Sequence, residues 1–171
     1  MSAARTPPIG ASMTFEFRPD VDLITRAREF VTAFYGRVLD DPDAVARIAL
    51  ATHELLENVF KYSVDGRSTF AIEVGTDGDS FVLRIRVKNR ATPERAHEVL
   101  RVIREIGAPG DPLEMYQTFV RRCAKTDDGS GLGLARIVAE AEMRVYGEVD
   151  GDEVTIVAEG LARPAALAAQ S

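Results

Sequence analysis

Four polar residues, Glu54, Glu57, Asn58 and Lys61, recur at i, i+3, i+4 and i+7. On a helix that spacing gathers them on one stripe. A carboxylate there can orient or deprotonate an attacking hydroxyl or water. An amide oxygen suits Mg²⁺, which takes oxygen ligands and keeps several of its waters. A lysine one turn further on can meet a phosphate, or simply favour the negative end of the helix dipole. Glu57 is turned roughly 60° from Glu54 on an ideal helical wheel, which leaves Glu54 as the candidate catalytic residue. Taken alone, the stripe also reads as a solvated helix face carrying a Glu–Lys pair.

A second cluster lies some seventy residues later, Asp128-Gly-Ser-Gly-Leu-Gly-Leu134. Gly129, Gly131 and Gly133 alternate with Ser130 and Leu132, and lead into an apolar-periodic run with Leu134, Ile137, Val138 and Ala141. Glycines let the backbone turn sharply and bring its N–H groups close to a ligand. The helix that follows adds free N–H groups and a positive dipole end, which suit phosphate. The bland alternative is a flexible loop before a tight helix start. Asp127 and Asp128 put negative charge beside this loop, which a metal or lysines must offset.

Together the two stretches resemble the N box and second glycine box of the GHKL superfamily, the ATP-binding proteins that include gyrase, Hsp90, histidine kinases and MutL. The order of the motifs and the Glu-x-x-x-Asn spacing agree. Chain size and predicted elements are similar to the branch holding the anti-sigma-factor serine kinases. The resemblance implies ATP and Mg²⁺ as cofactors, with Glu54 catalytic and Asn58 on the metal. It further implies that Lys61, Asn89, Gly129, Ser130, Gly131, Leu132 and Gly133 contact the nucleotide. It also implies a small bacterial regulatory protein as partner, either a STAS-like anti-anti-sigma protein or a sigma factor, and it allows a homodimer. The first glycine box departs from the family. Asn89 stands where the adenine-reading aspartate falls, and Ala91 and Pro93 replace the two glycines. Asparagine can accept from an amino group but brings no charge. The alternative is therefore a non-catalytic interaction module on the same fold that has lost efficient nucleotide binding.

These residues need elements to hold them. Asp41 as N-cap and Pro42 at the first helical position predict a helix to Tyr62, with Val45, Ile48, Thr52, Leu55, Leu56 and Val59 on its apolar arc. Met13–Phe17 reads as an edge strand. Asp20 caps a predicted helix to Leu39, with Ile24, Ala27, Val31, Phe34 and Val38 on one face. Ser68–Val74 and Ser80–Lys88 read as a hairpin, and Pro93–Ile106 and Pro112–Ala124 as helices. A helix over Leu134–Glu142 and strands over Arg144–Val149 and Glu153–Ala158 complete the pattern. Strands interleaved with helices predict an α+β two-layer sandwich, with a mixed, mainly antiparallel sheet and helices on one face. Residues 1–12 read as poorly ordered, 13–160 as one domain and 161–171 as a tail.

Composition narrows the function classes. The chain has 171 residues, 46% of them hydrophobic, which is enough for one sizeable core. The formal net charge is -6, which argues against general nucleic-acid binding. One cysteine cannot form an intramolecular disulfide, and no run is long enough to span a membrane, so the expected setting is cytoplasmic. His53-Glu-Leu-Leu-Glu57 lacks the second histidine of a zinc peptidase. There is no P-loop, and Gly129–Gly133 lacks the spacing of a dinucleotide fingerprint.

Overall fold

The structure is a computed structural model and describes residues 9–39, 41–64, 66–77, 80–126, 129 and 131–162. The chain order is β1 (Ile9–Phe17), α1 (Val21–Val38), α2 (Pro42–Tyr62), β2 (Ser68–Asp77), β3 (Ser80–Arg90), α3 (Pro93–Ile106), α4 (Pro112–Thr126), α5 (Leu132–Glu140), β4 (Arg144–Asp150) and β5 (Glu153–Ala162). The five strands lie in the order β1-β2-β3-β5-β4. Every pairing between neighbours is antiparallel, within the mixed, mainly antiparallel sheet the sequence predicts. β2–β3 and β4–β5 are hairpins, and the helical segment between them crosses over to the edge strand β4, which runs parallel to β3 with β5 between them.

Period-two burial separates the two faces of the sheet. On β3, Leu83, Ile85, Val87 and Asn89 are buried, while Arg86, Lys88 and Arg90 are exposed. The helices pack on the first set. The second set is ion-paired across strands: Arg84 with Glu159 at 2.6 Å, Arg86 with Glu73 at 3.3 Å, Lys88 with Glu153 at 2.6 Å, and Arg90 with Asp152. One face therefore makes the core and the other meets water, so the molecule is a two-layer α+β sandwich.

α2 is the central beam. The Asp41 carboxylate accepts from the Ala44 backbone N–H at 2.9 Å, and Pro42 opens the helix with a preset φ. Its arc of Val45, Ile48, Thr52, Leu55, Leu56 and Val59, joined by Ala44 and Ala51, is buried against β3, β5, α1 and α5. Each large apolar member of that arc contributes roughly 1.5–3 kcal/mol by leaving water.

α1 differs from its predicted face. Asp20 caps it as expected, accepting from the Asp22 N–H, but the buried residues are Ile24, Val31 and Tyr35. Phe34 and Val38 stay partly exposed. The reason is a polar anchor: Tyr35 is fully buried and donates to the Ile72 carbonyl at 3.3 Å. Burial pushes its phenol well above the ordinary range. At the N-terminus, Ile9–Ser12 belong to β1, paired with β2 through an irregularity between Ile9 and Ala11. At the other end β5 runs to Ala162. β1 thus begins before residue 13 and β5 runs past residue 160.

Candidate functional site

The stripe on α2 and the glycines before α5 meet. His53, Glu54, Glu57, Asn58, Lys61 and Tyr62 from α2 line one cavity of about 310 Å³. Gly129, Gly131, Leu132, Gly133, Leu134 and Arg136 line it from the other side, and Tyr116 of α4 joins them. Seven of the residues singled out from sequence are thereby brought together: Glu54, Asn58, Lys61, Gly129, Gly131, Leu132 and Gly133. Ser130, Asp127 and Asp128 lie outside the described residues.

Two of the glycines are there because nothing larger fits. Gly131 is the N-cap of α5 at φ +81°, with no side-chain cap. A Cβ on it would lie 2.8 Å from Val102 and 2.9 Å from Phe119. A Cβ on Gly133 would lie 2.6 Å from Glu54 Oε2, so the Glu54 carboxylate rests against the first turn of α5. Gly129 differs: it is exposed, with nothing within 4 Å of an added Cβ.

The charges in the cavity are paired. Arg136 Nη1 donates to Glu54 Oε1 at 3.0 Å, and its Nε to Glu140 Oε2 at 2.9 Å. The Glu54 side chain is only 11% exposed, so it is not the solvated carboxylate of the bland reading. Glu57 is gripped by Lys61 at 2.9 Å and His53 at 3.2 Å. The Lys61 hydrogen bond holds the Glu57 carboxyl below its ordinary range, and the same bond raises the Lys61 ammonium. The Glu140 hydrogen bond makes Arg136 hold its proton still more firmly. Burial, with Glu140 next, pushes the Tyr116 phenol up.

Arg136, Tyr116 and His53 are the cavity residues that motif reasoning passes over. His53 precedes Glu57 by four and Arg136 follows Gly133 by three, and both spacings place side chains on a shared helical face. Tyr116 had no local signal, because α4 reaches the cavity through its packing on α5.

Asn89 is not on this wall. It is buried, its Nδ2 donates to the Arg90 carbonyl at 3.2 Å, and it borders a separate open hollow with Arg18, Arg67 and Ser68. Its neighbours are equally committed. The Arg90 carbonyl accepts from Val64 N–H, and Ala91 N–H donates to the Asp152 carbonyl at 2.9 Å. Ala91 is buried, and Thr92 with Pro93 starts α3.

Where the cavity meets α3, Asn58, Tyr62, Gly131 and Leu134 continue into a hollow closed by Arg95, Glu98, Val99 and Val102. The Arg95 guanidinium lies 5.0 Å from the Tyr62 ring centroid. This hollow measures about 10 Å³, the size of one water.

A nucleotide with Mg²⁺ fits these residues at one end. Amide oxygen, two cationic side chains and a glycine-started helix are the donors a metal–polyphosphate group takes. The hollow at the α3 end is water-sized, and its two charged residues, Arg95 and Glu98, pair with each other.

No family model and no curated protein matches the chain. A solved structure does. A chain in the crystal structure of the SiaB–SiaC complex from Pseudomonas aeruginosa is similar with a TM-score of 0.62 at 13% identity. The match covers 88% of this chain and 89% of that one. At that identity the likeness is one of fold.

Proposed function

We propose that this chain is a regulatory protein that binds ATP with Mg²⁺ and phosphorylates a serine or threonine hydroxyl on a small protein partner. The observation that carries the reading is the meeting of Glu54, Asn58 and Lys61 with Gly129, Gly131 and Gly133 around one cavity. The GHKL resemblance of both motifs supports it. The similar chain was solved in a complex of SiaB with SiaC, which supports a protein partner here. When bound, the nucleotide supplies the transferable phosphoryl group. Asn58 would hold the metal through its amide oxygen, and Lys61 and Arg136 would offer positive charge to phosphate oxygens. Glu54, steadied by Arg136, would accept the proton of the attacking hydroxyl.

The second reading is a non-catalytic module on the same fold. The water-sized hollow beside Asn58 and the arginine already on Glu54 favour it. Calorimetry with Mg·ATP and transfer of label from ATP to a partner protein separate the two. On the kinase reading, Asn58→Ala loses Mg²⁺-dependent nucleotide binding. Glu54→Gln keeps binding and loses transfer by roughly 10²-fold or more. On the module reading, wild type transfers nothing and Glu54→Gln holds a partner as well as wild type does.

A further inference from the structure

We infer that the cavity recognises the metal-bound triphosphate and leaves the base unread, so its ligand class is nucleoside triphosphates irrespective of base. The inference rests on the phosphate-binding reading above and narrows it. Three observations on different elements converge on it. The hollow next to Asn58 is water-sized, walled by Val99 and Val102 of α3 and Leu134 of α5, and its charged lining, Arg95 and Glu98, is paired with itself. No ring system enters such a space without moving α3. The residue placed to read a base, Asn89, donates its Nδ2 to the Arg90 carbonyl and borders a different hollow. Arg95 lies over the face of Tyr62, the aromatic ring at this end of the cavity. The main cavity is lined by Glu54, Asn58, Lys61, the glycines and Arg136.

The chemistry of discrimination follows. A site that hydrogen-bonds a particular ligand group rejects an analogue lacking it by orders of magnitude, because its own buried polar groups are left unpaired. Here no side chain facing the cavity from α3 is set to be left unpaired by the wrong base. Charge and metal coordination remain, and ATP, GTP and inorganic tripolyphosphate share both.

Isothermal calorimetry on the full chain, with Mg²⁺ and each of these three ligands, tests the inference. The expected result is binding of all three, with dissociation constants agreeing within about tenfold. Lys61→Ala, a change at an exposed helix position, is expected to weaken all three by one common factor. A preference for ATP over GTP beyond about tenfold, failure of tripolyphosphate where ATP binds, or a Lys61→Ala loss confined to ATP overturns the inference and leaves the phosphate reading standing. If none of the three binds, the phosphate reading falls and the inference falls with it.

Discussion

The glycine side of the cavity and the end of β3 sit on the same helix, α2, yet they use their residues in opposite ways. On the glycine side, what is missing lets neighbours close in: Gly131 and Gly133 carry no Cβ where one would strike Val102, Phe119 or Glu54. At the end of β3, space is filled. Ala91 is buried, Asn89 donates to the neighbouring Arg90 carbonyl, and Thr92 and Pro93 serve the start of α3. A short motif therefore says more when read for volume than for residue type. Asparagine for aspartate keeps an acceptor, but the lost glycines go with the lost room.

Substitutions can break or sharpen this contrast. The largest effect is expected at Gly131. Alanine there is strained at positive φ and overlaps Val102 and Phe119, so Gly131→Ala should cost about 3 kcal/mol in urea unfolding. Gly129→Ala, in open space, should stay within about 0.5 kcal/mol. Equal costs would show that the loop is not packed as described.

Arg136→Gln comes next. It leaves the nearly buried Glu54 without its cation, and should destabilise by about 1–2 kcal/mol. A double-mutant cycle with Glu54→Gln should recover part of that loss, and strict additivity would mean the pair does not couple.

Arg95→Ala is smaller. It removes an exposed cation from the Tyr62 face, and should cost about 0.5 kcal/mol. Its sharper use is in ligand choice. If opening this corner creates a purine preference absent from wild type, the filled end of the cavity is what suppresses it.

The smallest effect is electrostatic. The Glu57 carboxyl is held below its ordinary value of 4.5 by Lys61. A depressed carboxyl stabilises the fold above its unfolded value and loses that contribution as pH falls through the folded one. The pair is more than a third exposed, so a few tenths of a kcal/mol is the expected size. Lys61→Ala should flatten stability below pH 4.5 by that amount, measured by melting across acid pH.

Much of this geometry was legible in the sequence. Asp20 and Asp41 mark helix starts by side-chain capping, a local interaction with a local signature. The α2 arc and the β2–β3 hairpin follow from period and turn residues. Tyr35 was not legible, because its inward turn depends on the Ile72 carbonyl, thirty-seven positions away. α5 begins at Leu132 rather than Leu134, since Gly131 takes positive φ and lets the helix start directly after it. The α2 stripe and the glycines, singled out by spacing and motif, line one cavity. The closure of the β3 end could not be read, because it depends on how α3 packs over Tyr62.

The strand order carries a consequence for how the molecule is made. β2–β3 and β4–β5 close across short turns, whereas β3 must find β5 across the whole α3–α5 segment. Local pairings are quick and the long closure is slow, because a long loop's entropy is lost before any contact rewards it. α2 comes before that seam and α5 lies inside the loop it closes. The cavity is therefore expected to be among the last features to form. In pulse-labelled hydrogen exchange during refolding, amides of the β2–β3 hairpin should gain protection before those shared by β3 and β5. A half-made chain would carry Glu54 and Asn58 with nothing opposite them, and any binding activity would begin only when the last seam of the sheet has zipped.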